Sequence, residues 1–161
     1  MQLSNPSLFR SRGLVGGNWI NADDGRVLSV TDPASGAFLG QVPMMGAGET
    51  RRAIQAANEA WGHWRKTTAK ERAVLLHRWY DLILLNTADL ARLITAECGK
   101  PLTEGRGEVV YGASFIEWFA EEAKRAYGET IPSPASDKRL LTIRQPVTWS
   151  PRSRPGIFRW P

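Results

Sequence analysis

The sequence has few of the residues on which small catalytic or metal sites are usually built. One cysteine, Cys98, and two histidines, His63 and His77, occur in 161 residues. An internal disulfide is therefore excluded and no structural zinc set can be assembled. No apolar run approaches the roughly 18 residues of a membrane span, and Met1 to Arg12 lacks the apolar centre of a signal peptide. The expected address is cytoplasmic. No glycine-rich phosphate loop, no Gly-x-Ser-x-Gly and no metal-ligand spacing is present. What remains is an ordinary globular composition, 42% hydrophobic and 23% charged with 15 Gly and 10 Pro, which excludes disorder, collagen and coiled coil.

The formal charge of +5 would suggest a nucleic-acid partner if it were spread over the chain. It is not. Arg152, Arg154 and Arg159 sit without any acid in Thr148 to Pro161, leaving 18 bases against 16 acids before them. Within that body, acids and bases alternate, as in Lys70, Glu71 and Arg72, the pattern of a solvated helix face.

Short strands punctuated by turns are predicted over Gly13 to Ile20, Arg26 to Thr31 and Ala37 to Val42, forming one small antiparallel sheet. Gly16-Gly17, Asn21 to Gly25, and Asp32-Pro33-Ala34-Ser35-Gly36 supply the turn chemistry. From Gly48 the period becomes helical, with Ile54, Ala57, Trp61 and Trp64 on one face. Thr68 with Glu71 predicts a capping box for a second helix from Ala69 to about Leu85, and Asn86-Thr87 should end it and cap a third, Ala88 to Glu97. Pro101 starts a fourth that runs to about Tyr127, its stripe formed by Val109, Ala113, Ile116, Ala120 and Ala123. One terminal strand is expected over Lys138 to Gln145. The resulting class is an α+β fragment: a small N-terminal sheet, four helices and a last strand, with large apolar patches left uncovered.

Each residue with chemical potential has a structural explanation first. Cys98 lies at a helix C-terminus, where the dipole disfavours a thiolate, and reads as a small packing or capping residue. His63, beside Trp61 and Trp64, and His77, next to Arg78, read as surface or half-buried histidines with no general-base role assigned. Glu117, Glu121 and Glu122 precede Lys124 and Arg125 and form a solvated face. Tyr111, Phe115, Trp118 and Phe119 make an aromatic edge on the fourth helix. Such an edge packs against a neighbour or lines a small-molecule channel.

Taken together, several segments resemble one family. Asp32-Pro33-Ala34-Ser35-Gly36, Glu97-Cys98-Gly99-Lys100-Pro101-Leu102, the run from Phe115 to Arg125, and Tyr127-Gly128-Glu129-Thr130-Ile131-Pro132 are similar to the N-terminal third of NAD(P)-dependent aldehyde dehydrogenases. Phe-Ile-Glu-Trp-Phe-Ala-Glu-Glu looks most like the bacterial succinate-semialdehyde dehydrogenases. The resemblance implies a parent enzyme, homo-oligomeric, that oxidises an aldehyde such as succinate semialdehyde with NADP or NAD as acceptor. It also implies a Rossmann sheet that is mostly absent from this chain, a nucleophilic cysteine and a general-base glutamate. No residue here matches either catalytic motif, so no catalytic, cofactor-binding or metal residue is assigned and the chain as given is expected to be inactive. The same resemblance places the fourth helix beside a substrate tunnel, with Tyr111, Phe115 and Trp118 as candidate contacts.

Residues 1–147 read as that N-terminal part, and 148–161 as something else. The family continues with a Pro-Trp-Asn-Phe-Pro motif that holds the oxyanion-stabilising asparagine, whereas Thr148 to Pro161 is rich in Arg, Pro and Trp without any period. Codons that encode this tail can be chosen so that the frame one base back reads Val-Val-Ala-Ala-Ile-Thr-Pro-Trp-Asn-Phe-Pro-Leu-Ala. An out-of-frame tail after a slip near codon 148 is therefore expected. The competing reading is a helical adaptor that uses Trp149, Trp160 and the tail arginines to bind an acidic partner or nucleic acid.

Overall fold

The computed structural model describes residues 1–146. A 3-10 turn (Pro6–Leu8) opens the chain, followed by β1 (Gly13–Val15), β2 (Asn18–Ile20), β3 (Val27–Thr31) and β4 (Phe38–Pro43). Then come α1 (Ala47–Trp64), α2 (Ala69–Leu85), α3 (Thr87–Cys98) and α4 (Leu102–Glu122), a 3-10 turn (Ala123–Arg125), β5 (Glu129–Ile131) and β6 (Leu140–Thr142).

The strands do not form the single N-terminal sheet expected. They pair as separate antiparallel hairpins, β1 with β2, β3 with β4 and β5 with β6. The stretch from Gly13 to Ile20 is folded back on itself because Gly16 and Gly17, at φ 57° and 82°, supply the left-handed pair that a two-residue hairpin turn requires. The last segment also differs from expectation. Only Leu140–Thr142 is strand, and its partner is Glu129–Ile131, a piece too short for alternation to reveal it between Gly128 and Pro132. The turn over residues 32–36 forms as its composition demands: Asp32 Oδ1 accepts the Ala34 N–H at 2.8 Å, and the Gly36 N–H donates to the Asp32 carbonyl at 2.7 Å.

The helices fall close to their expected bounds. Thr68 Oγ1 accepts the Glu71 N–H at 3.2 Å while Glu71 Oε2 accepts the Thr68 N–H at 2.7 Å, the reciprocal capping box. Asn86 does not cap α3 with its side chain; its Nδ2 turns back to the Leu82 carbonyl at 2.8 Å and closes α2. Gly99, at φ 71°, ends α3 in the left-handed conformation. The fourth helix stops at Glu122, short of Tyr127, by tightening into the Ala123–Arg125 3-10 turn.

The core is where α2, α3 and α4 meet. Ile83, Ala91, Val109 and Ala113 are buried there, with Tyr80, Leu84, Leu90, Ile94 and Ile116 packed around them. Val109, Ala113 and Ala120 of the expected stripe are fully buried. The small residues matter because they let α4 lie close against its neighbours. A Cβ on Gly105 would stand 2.9 Å from the Ala91 carbonyl oxygen and 3.2 Å from Thr95 Oγ1. Elsewhere apolar side chains face outward: Ile54 and Trp64 on α1, Val74, Leu75 and Leu82 on α2, and Val110 on α4 are all exposed.

Two glycines on α4 give opposite expectations. Gly105→Ala should destabilise the chain by about 1–3 kcal/mol through overpacking. Gly107, two positions on, has nothing within 4 Å of its Cβ position, so Gly107→Ala should stabilise by about 0.5–1 kcal/mol through helix propensity. Urea denaturation of the two variants beside the parent checks both signs.

Candidate functional site

The aromatic edge is set by α4. Tyr111 and Phe115, one turn apart, pack edge to face with ring centroids 4.8 Å apart and an interplanar angle of 81°. Trp118 and Phe119 continue the edge along the helix, and all four rings are exposed, Tyr111 at 65% and Trp118 at 63%. The described part of the chain therefore leaves a large share of each ring uncovered. Tyr111, Phe115 and Trp118 form an apolar wall on the side of α4 opposite the buried Val109, Ala113 and Ala120 stripe.

A charged cluster lies at the far end of the same helix. His77 Nε2 of α2 is 2.8 Å from Glu121 Oε1, and Lys124 Nζ is 2.7 Å from Glu121 Oε2. Arg125 donates to Glu122 at 2.5 Å. The pairs at i,i+3 are those expected of a solvated face, and the carboxylate beside His77 adds a contact that local spacing does not encode. It comes from a different helix, 44 residues on, and only the packing of α2 on α4 brings it there. Lys124, and after it His77, hold the Glu121 carboxyl below the usual carboxylate range. All three side chains are substantially exposed, which makes the cluster an inter-helix tie in water.

Cys98 is the last residue of α3 and half-buried, with no titratable partner that would activate it as a nucleophile among the described hydrogen bonds and ion pairs. His63 stands near the end of α1. No group of three or more His, Cys, Asp or Glu gathers to hold a metal among the described residues. None of the described helices is long and apolar enough to cross a membrane. Trp149, Trp160 and the tail arginines lie outside the described residues.

The comparisons with known proteins bear on the whole of this arrangement. The aldehyde dehydrogenase family profile matches residues 19–150. The chain belongs to the aldehyde dehydrogenase family. It is 56% identical over 147 residues to a glutarate-semialdehyde dehydrogenase of Pseudomonas putida, which covers 91% of this chain and 31% of that protein. It is 55% identical over the same length to the NADP(+) succinate-semialdehyde dehydrogenase GabD of Escherichia coli, covering 91% and 30%. Among solved structures, an aldehyde dehydrogenase of Brucella melitensis biovar abortus superposes with a TM-score of 0.90 at 53% identity, over 91% of this chain and 30% of the other. The chain thus spans about a third of the length of the family members it resembles. The N-terminal resemblance read from the sequence is confirmed, and the hairpins and four helices are those of the corresponding part of an aldehyde dehydrogenase.

The Glu121 tie has a defined pH signature. A carboxyl held low in the folded chain contributes in full above its unfolded value of about 4.3, and the contribution is lost as pH falls through the lower folded value. Glu121→Gln should therefore lower the urea midpoint at neutral pH, with the gap to the parent closing as the solution is acidified. Equal midpoints at neutral pH would show that the tie contributes nothing.

Proposed function

We propose that the chain is the N-terminal part of an NAD(P)-dependent aldehyde dehydrogenase whose substrate is a semialdehyde with an anionic far end, succinate semialdehyde first and glutarate semialdehyde beside it. The observation that carries this reading is identity above 50% across 91% of the chain to enzymes named for those two aldehydes. A 3-sulfolactaldehyde dehydrogenase of Pseudomonas putida stands at 52% over the same length. The three named aldehydes share a negative charge away from the carbonyl. The parent enzyme is a cytoplasmic homo-oligomer on this reading.

The reaction needs a thiolate to attack the carbonyl, an acceptor for the hydride and a base to activate water for thioester hydrolysis. Family resemblance assigns none of these roles to residues of this chain. On this reading the starts of the four α-helices are not the dinucleotide's phosphate site. Each of the α-helices carries its own carboxylate in the first turn, Glu49, Glu71, Asp89 and Glu104, where a phosphate would have to approach the helix dipole. Three of those carboxylates already occupy nearby backbone N–H groups. The chain alone is therefore proposed to be inactive, with NADP or NAD bound by the remainder of the parent.

For the aromatic edge, the reading is a wall of the substrate tunnel formed by Tyr111, Phe115 and Trp118. Its support is the exposure of all three rings on a helix whose opposite stripe is buried. The purified chain with succinate semialdehyde and NADP or NAD should give no rise in nicotinamide absorbance; a saturable rate would overturn the reading of the chain. In an active parent carrying these residues, Tyr111→Ala should raise KM more than it lowers kcat. Unchanged kinetics with lowered stability would make the ring a packing residue.

Residues 148–161 are read as translated out of frame. Support comes from the neighbouring frame that the tail's codons permit and from the family match, which ends at residue 150. Sequencing the gene past codon 148 should show the Pro-Trp-Asn-Phe-Pro motif in the frame one base back. A neighbouring frame interrupted by stops, without that motif, would exclude the slip.

A further inference from the structure

The N-terminal residues 1–9 lie as a strap against the helical layer, and their polar attachments are few. Among the described residues, the only hydrogen bonds from residues 1–12 to any later element are two backbone donations to one side chain: the Ser4 N–H to Asp89 Oδ1 at 3.0 Å and the Asn5 N–H to Asp89 Oδ2 at 2.7 Å. Asp89 sits in the first turn of α3 and is only 4% exposed. The remaining bonds of the strap are internal. Asn5 Oδ1 accepts from the Ser7 N–H and hydroxyl, and the Pro6–Leu8 turn closes through the Leu8 and Phe9 N–H groups.

Apolar attachment is also thin. Leu3, Leu8 and Phe9 are half-buried, the rest of residues 1–9 are exposed, and the Phe9 ring lies over Gly40 of β4. Beside the strap runs an open groove of about 660 Å³, lined by Met1 and Leu3 of the strap and by Leu39, Ala96 and Leu102. The charged surroundings of Asp89 are simple. Arg92 of the same helix donates to Oδ1 at 2.7 Å, residues 2–9 carry no charged side chain, and the β3–β4 hairpin contributes Asp32 to the groove wall.

We infer that residues 1–9 are a strap fastened by the Asp89 carboxylate, able to open as a unit over the groove while α2, α3 and α4 stay folded. The reason is the acceptor count. An ionised carboxylate can receive both strap N–H groups and the Arg92 guanidinium together, whereas a carboxamide offers one acceptor oxygen and sets an NH2 donor against the other N–H. The cost of that mismatch falls on the segment with the fewest other contacts, because opening the strap removes it without disturbing the buried Ile83, Ala91, Val109 and Ala113 core. Protonation acts in the same direction. The two backbone N–H groups hold the Asp89 carboxyl below its usual range, so the fastening persists above that range and fails as pH falls through the lower folded value.

Amide hydrogen exchange on the full 161-residue chain tests this, with protection expressed relative to each amide's intrinsic rate at the pH used. In Asp89→Asn, protection at Ser4 and Asn5 should fall at least tenfold while amides in the middle of α3 and α4 keep theirs. The unsubstituted chain taken from neutral pH to below about pH 4 should lose protection at the same two amides before the helices do. Unchanged protection of Ser4 and Asn5 in Asp89→Asn would overturn the proposal. So would strap and helix amides losing protection in parallel in the acid titration, the measurement that decides if Asp89→Asn unfolds the whole chain.

Discussion

Where α4 crosses α3, the absence of a side chain at Gly105 lets the two backbones approach until the Ala91 carbonyl lies in contact range of the position a Cβ would take. The packing of α2, α3 and α4 depends on that approach. It brings Val109 and Ala113 onto Ala91 and Ile83 and seats the buried small-residue stripe of α4 between its neighbours. Because α4 is held there along its length, the opposite side of the same helix presents Tyr111, Phe115 and Trp118 as a fixed row. The end of the helix is placed by the same packing, which is why Glu121 reaches His77.

The layer before the helices is joined to them by two buried carboxylates that play parallel parts. Glu49, in the first turn of α1, accepts the Asp23 N–H at 2.7 Å and the Gly46 N–H at 3.0 Å. Asp89, in the first turn of α3, accepts from Ser4 and Asn5. Both carboxyls are held below their usual range, chiefly by the backbone N–H groups they receive. Acids at helix N-termini are favoured by the dipole in any case. Here the same residues turn that local preference into long-range ties.

The uncovered apolar surface has a simple relation to the family. Leu75, Leu82, Leu85, Phe119, Leu141 and Ile143 are exposed in the described residues, while family members of known structure are about three times as long as the matching segment. Apolar helix faces of this extent are what a part of a larger α/β enzyme presents where further layers belong. The glutarate, succinate and sulfolactaldehyde enzymes stand at nearly equal distances from this chain over the shared segment, 56%, 55% and 52% identical. The aldehyde they discriminate is therefore not distinguished by overall similarity here.

Local chemistry was legible without coordinates. The capping box at Thr68 and Glu71, the Asp32 turn, the Gly99 stop and the buried stripe from Val109 to Ala120 are each written in a few neighbouring residues, because caps, turns and 3.6-residue periods depend on contacts within one or two turns of chain. The resemblance to aldehyde dehydrogenases, carried by short runs such as Phe115 to Arg125, was legible for the same reason. Strand pairing was not: it is decided between segments, so one expected sheet became separate hairpins and Glu129–Ile131 emerged only beside Leu140–Thr142. The His77–Glu121 contact spans 44 residues and Asp89 reaches the N-terminal strap across 85, and neither leaves a trace in local pattern. Sequence alone determined which residues were helix, turn and family signature. Which carboxylate meets which N–H or imidazole was decided only when α2, α3 and α4 packed, since those distances exist in the tertiary structure and nowhere along the chain.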